Sequence, residues 1–94
     1  MARSITAPNV EVAVMVYAKY SELGTDQIRE LFGEISDSTV HKLKTRAREQ
    51  MEKDGAVVFD KRSVDTDSAY KAWNLDIKAL EVRYRRLIRL RGEN

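Results

Sequence analysis

Apolar residues in this chain fall mostly at helical spacing. Val12, Met15, Val16, Tyr20 and Leu23 recur every three or four positions, and Val10 and Val14 widen the stripe. They predict a first helix from about Val10 to Leu23, opened by Asn9 as N-cap behind Pro8 and closed by Gly24. Its β-branched content makes a strand the competing reading, while Ala18, Lys19 and Glu22 favour the helix. Ile28, Leu31 and Phe32 make one face of a short second helix, with Thr25 as its cap and Gly33 as its stop. Val40, Leu43, Ala47 and Met51 form the stripe of a third helix, which starts at Ser36 or Asp37 and ends at Gly55. At 1.5 Å per residue that helix is about 27 Å long.

The pattern then changes. Ala56 to Phe59 is a short β-type run, residues 60–63 have turn chemistry, and Val64 is placed for a return strand, which together predict a small hairpin over 56–64. Asp65, Thr66 and Asp67 start a fourth helix, Asp67 to Trp73, that Asn74 can end in the left-handed conformation. Asp76 caps a fifth helix from Ile77 to about Leu90, with Ile77, Leu80, Tyr84, Leu87 and Ile88 apolar. The predicted class is mainly α: a tri-helical helix-turn-helix core, a small β-hairpin in wing position and a C-terminal helix. Residues 1–8 read as a flexible lead-in and 9–94 as one domain, in which 76–91 is a packing or dimerisation helix.

Charge sharpens this picture through its distribution. Among 94 residues, 17 Lys and Arg stand against 15 Asp and Glu, so the net charge of +2 decides little. Within residues 9–35, however, Lys19 and Arg29 face Glu11, Glu22, Asp26, Glu30 and Glu34. The segment HKLKTRAR at 41–48 is basic without an acid, and residues 78–92 set six basic side chains against Glu81 alone. Two basic segments on an acidic-to-neutral scaffold suggest a polyanion partner. The plain alternative is that these are ordinary solvated helix faces.

The segment TDQIRELFGEISDSTVHKLKTRA, about a quarter of the chain, resembles the helix-turn-helix of bacterial and phage DNA-binding regulators. The matching residues are Ile28 and Phe32, Gly33 and Ile35 in the turn, and Val40 and Leu43 on the second helix. Arg29 departs from the pattern, standing where a small residue often sits, and the turn reads one residue longer than the commonest form. The resemblance implies a sequence-specific binder of double-stranded DNA, a small transcriptional regulator or an accessory protein of a phage or mobile element. The helical stripe leads to the same surface independently. With Val40, Leu43, Ala47 and Met51 turned inward, Ser38, Thr39, His41, Lys42, Thr45, Arg46 and Glu49 point outward, flanked by Lys44 and Arg48. Thr39, Lys42 and Arg46 suit groove or base contacts, because hydroxyls reach base edges and arginine forks onto guanine. Ser36, Ser38, Lys44, Thr45 and Arg48 suit phosphate contacts, and His41 is a polar contact on the same face. Lys61 and Arg62 at the hairpin tip would touch the DNA backbone if the hairpin is a wing; a plain solvent-exposed loop is the equal alternative.

The last helix has three readings. Trp73, Ile77, Leu80, Tyr84 and Leu87 alternate in spacings of four and three, the seam of helix pairing. That seam packs on the first helix, or pairs with its twin in a homodimer. The third reading is a second helix-turn-helix-like unit, AYKAWNLDIKALEVRYRRL, whose arginines cluster at the wrong end for groove entry. Packing or dimerisation is therefore favoured. A protein–protein interaction module using this helix is the alternative function, and RNA is a third, made less favourable by sparse aromatics.

The composition argues against other classes. Without cysteine there is no disulfide framework, thiolate metal site or cysteine nucleophile, and His41 is the one histidine, so no metal site or cofactor is expected. Asp65 and Asp67 read better as caps than as an acid–base pair, and no phosphate loop or nucleophile motif is present. An enzyme is not expected, nor is a small-molecule ligand. The stretch Val10 to Ala18 is too short and too interrupted by Glu11 for a membrane span, so the cytoplasm is the expected compartment.

Overall fold

Helix α1 (Val10–Lys19) begins where expected: the Asn9 carboxamide oxygen accepts from the amides of Glu11 (2.9 Å) and Val12 (3.4 Å). The computed structural model describes residues 7–92, so residues 1–6 of the expected lead-in, and residues 93 and 94, lie outside the described residues. Ala13 and Val16 bury their side chains, so this β-branched segment is helical because tertiary packing selects the helix over the strand.

The helix ends earlier than its apolar stripe. Tyr20 turns extended, and Glu22–Leu23 form a strand, β1, that pairs antiparallel with Val64–Asp65, β2, in the register Glu22↔Asp65 and Leu23↔Val64. Leu23 still reaches the core, by alternation along a strand instead of by helical spacing. Gly24 accordingly opens the next helix rather than closing this one, and its amide donates to Gln27 Oε1 at 2.9 Å. Val64 lies on a strand as expected, but its partner is Leu23. Residues 56–58 join no strand, so the ladder bridges two distant segments instead of closing the expected hairpin over 56–64.

Helices α2 (Thr25–Phe32) and α3 (Asp37–Asp54) are joined by residues 33–36. Ser36 caps α3 by accepting from the Thr39 amide at 3.2 Å, and Gly55 ends it in the left-handed conformation with φ of 69°. Val40, Leu43, Ala47 and Met51 are all buried, as the stripe requires. Helix α4 (Thr66–Ala72) is capped by Asp65, whose carboxylate accepts from the Ser68 amide at 3.0 Å. Asn74 follows with φ of 61°, and Asp76 caps α5 (Ile77–Gly92) by accepting from the amides of Lys78 and Ala79. The helix continues through Gly92, two residues beyond the predicted end.

The fold is thus mainly α with one small antiparallel sheet. Its core gathers Ala13, Val16, Leu23, Ile28, Leu31, Val40, Leu43, Ala47, Val64, Ala69, Tyr70 and Trp73. Two polar bolts cross it. The Tyr70 hydroxyl donates to the Ala13 carbonyl at 2.6 Å, and the Trp73 indole N–H donates to the Leu43 carbonyl at 2.9 Å. They tie α4 and the residue after it to α1 and α3, and they leave neither buried polar atom without a partner. Helix α3 packs on α2, α4 and β2, whereas α5 packs on α1. The α1–α5 pair runs antiparallel: Arg91 near the end of α5 pairs with Glu11 near the start of α1 at 3.0 Å. Among the described residues, no helix is long and apolar enough to cross a membrane.

Candidate nucleic-acid interface

The candidate surface is the outward side of α3, and its start is built from hydroxyls. Ser36 Oγ lies 3.1 Å from Ser38 Oγ and 2.9 Å from Thr39 Oγ1, so three short hydroxyl side chains form one cluster at the helix N-terminus. Ser36 is occupied as the cap. One turn further on, His41, Lys42, Thr45 and Arg46 are exposed. Thr45 donates its hydroxyl to the His41 carbonyl at 3.0 Å, a local bond within the helix.

Arg29 explains its departure from the motif. Its Nε and Nη2 both lie 3.3 Å from the Ile35 carbonyl, and Nη2 lies 2.5 Å from Asp37 Oδ1. One guanidinium on α2 therefore clamps the turn and the first residue of α3, fixing the angle between the helices. It also pairs the Asp37 carboxylate, the acid nearest the hydroxyl cluster. A small residue at 29 could do neither.

The basic side chains divide into two groups. Lys42 and Arg46 are exposed on the outward face, and Arg46 borders a cleft with Ala7, Pro8, Trp73, Asn74 and Leu75. Lys44 instead turns between α2 and α3 and donates to Thr25 Oγ1 at 3.0 Å. Partial burial holds its ammonium below the ordinary lysine range, and nearby Arg48 and Arg62 push the same way against Asp60. Those couplings place Lys44, Arg48 and Arg62 in one electrostatic neighbourhood. Arg48 reaches the 55–63 loop directly, donating to the Lys61 carbonyl at 3.4 Å. Among the described residues, none of Lys42, Lys44, Arg46 or Arg48 has an ion-pair partner; the pairs are Arg29–Asp37, Lys71–Asp54 and Arg91–Glu11. Lys61 and Arg62 are exposed on that loop, which has the position of a wing but not the two strands of one.

The loop is pinned by Glu22, a residue to which the sequence assigns no role in the site. Its carboxylate accepts from the Phe59 amide at 2.6 Å and the Asp60 amide at 3.2 Å. Asp60 accepts from the Arg62 amide at 2.9 Å, and its carbonyl from the Ser63 amide at 2.9 Å. Along 56–59 the side chains alternate with a period of two: Ala56 and Val58 turn inward while Val57 and Phe59 turn out. The β-type run in the sequence is the signal for that alternation, although no ladder forms there.

The five residues proposed for the helix seam do not share one surface. Trp73 belongs to the core, edge-on to Phe32 with centroids 5.5 Å apart. Ile77, Leu80, Tyr84 and Leu87 are half-buried, and α5 has no buried residue. A cleft of about 700 Å³ opens where the ends of α1 and α4 meet the start of α5, lined by Tyr17, Asp67, Tyr70, Lys71 and residues 74–78. Tyr17 donates to Asp67 Oδ1 there at 2.5 Å, a bond that holds the Tyr17 phenol above its ordinary range. Among the described residues, no three His, Cys, Asp or Glu side chains gather as a metal set.

No protein-family model matches the chain, and no curated protein or solved structure matches it.

Proposed function

We propose that this protein binds double-stranded DNA, with the outward side of α3 in the major groove. The observation that carries the reading is an 18-residue helix whose outward face presents Thr39, Lys42 and Arg46, the two cations having no ion-pair partner among the described residues. A helix fits the groove, Arg46 can fork onto a guanine edge, and Thr39 and Lys42 can reach bases on either side. Ser38, Thr45 and Arg48 flank that line as phosphate contacts, and Lys61 and Arg62 extend it onto the loop. Lys44 acts on Thr25 and, through it, on the start of α2. Its contribution to DNA is the field it adds beside Arg48 and Arg62. By its resemblance the protein is a small regulator or mobile-element accessory factor.

Duplex binding over a salt series tests this. The expected result is a log–log slope of several units, and for Arg46→Ala a loss of about 1–3 kcal/mol together with relaxed sequence preference. A parent protein that retains no duplex at low salt contradicts the reading.

A second reading, self-association through α5, is favoured by its exposed apolar residues. Val82, Ile88 and Leu90 on α5 and Met15 on α1 are all substantially solvent-facing. Sedimentation of Ile88→Glu checks it, since an exposed residue can be changed without unfolding the monomer. A mass identical to the parent's excludes that interface.

A further inference from the structure

The 56–63 loop carries a feature that phosphate contact does not require. The Phe59 ring is fully exposed, at 102% of its reference area, and Val57 is 87% exposed. Singly exposed apolar residues are common on proteins, but this pair has three unusual properties. First, its backbone is fixed: the Phe59 and Asp60 amides are held by Glu22, the neighbour in sequence of fully buried Leu23, and the Lys61 carbonyl is held by Arg48. Second, Ala56 and Val58 anchor the inner side of the same run against the core, so Val57 and Phe59 are aimed outward together. Strand-like segments with one buried face normally present polar residues on the other. Third, four cations lie on or beside the loop, Lys61 and Arg62 within it and Lys44 and Arg48 on α3, against the two carboxylates of Glu22 and Asp60 that hold its backbone.

An exposed phenyl on a hydrogen-bonded stretch of backbone, beside basic side chains, matches the chemistry of a wedge for stacked bases. Cations draw in the sugar–phosphate backbone, and the apolar ring enters a partly opened base step, kinking the duplex. An apolar protein surface would gain nothing from the surrounding cations, so charge complementarity selects the polyanion. We infer that Phe59 inserts between base pairs of the bound duplex, with Val57 filling the groove floor behind it, and that this protein bends the DNA it binds. The inference rests on the DNA-binding reading above and adds deformation to it. Flexible pyrimidine–purine steps are the expected entry points.

The probe is a duplex of about 30 base pairs with a central TA step, a donor and an acceptor at its ends, and 2-aminopurine at the step. The parent is expected to shorten the end-to-end distance and to raise 2-aminopurine emission. Phe59→Ala is expected to lose both signals while weakening binding by about tenfold, the scale of one lost base–aromatic contact. Phe59→Leu, another wedge residue, is expected to keep part of the bend. Thermal unfolding should not separate the variants, because the ring touches no core residue. A parent complex that stays straight, or a Phe59→Ala complex bent like the parent's, overturns the wedge and leaves duplex binding standing. A parent that binds no duplex overturns both.

Discussion

Helices α3 and α5 are written in the same way and end up in different circumstances. Both carry an apolar stripe at spacings of three and four, and both are rich in arginine and lysine. On α3 the whole stripe is buried. On α5 no residue is. The difference lies in the number of covering elements: α3 is enclosed by α2, α4 and β2, whereas α5 leans on α1. Periodicity therefore reports which side of a helix is apolar, while depth of burial is decided by elements elsewhere in the chain. The recognition proposed for α3 would draw on this deeper mounting, because a side chain is positioned only as firmly as its helix.

Truncating each stripe gives the largest contrast. Leu43→Ala, at a fully packed site, is expected to cost about 3 kcal/mol, and Leu80→Ala roughly 1, because that side chain is only partly buried and the space it leaves opens to solvent. Urea unfolding checks both values. Equal losses would mean that α5 is as much part of the core as α3.

Next comes the bolt between α4 and α1. Tyr70→Phe is expected to cost about 1 kcal/mol, since it removes a buried hydrogen bond while the Ala13 carbonyl keeps its helical amide partner. Burial pushes the Tyr70 phenol well above its ordinary range, and the neighbouring Tyr17 adds to this. A group raised on folding stabilises fully below its unfolded pKa, about 10 for tyrosine, and loses that contribution as pH climbs through the folded value. Stability should therefore be flat with respect to Tyr70 up to about pH 10 and fall beyond it, more shallowly in Tyr70→Phe.

A smaller effect is expected at the loop. Glu22→Gln should speed amide exchange at Phe59 and Asp60 about tenfold, the scale of losing a charge-assisted hydrogen bond. The smallest concerns α5 again. Breaking the solvent-exposed Arg91–Glu11 pair with Glu11→Gln should leave the urea midpoint within error.

What the residues announce on their own is mostly local. Asn9, Ser36 and Asp76 cap the helices their positions predict, Gly55 ends α3 and Asn74 takes the left-handed conformation, because caps and turns are decided within four residues. Distant pairing was not legible. Leu23 fits a helical stripe and an alternating strand equally well, and only Val64, 41 positions later, resolves the choice. Trp73 reads as the head of the α5 seam until Phe32 and the Leu43 carbonyl claim it. The candidate surface followed the same division. Ser38, Thr39, His41, Lys42, Thr45 and Arg46 are exposed or half-exposed on α3 as its stripe dictates. Lys44, one step round the helix, is drawn inward by Thr25, which no reading of α3 alone could supply.

The most direct measurement follows backbone amides by NMR during titration with a short mixed-sequence duplex at low salt. Recognition through α3 predicts shifts concentrated at residues 36–48 and 57–62, with residues 77–90 of α5 largely unmoved. Shifts confined to α5, with α3 silent, would contradict it.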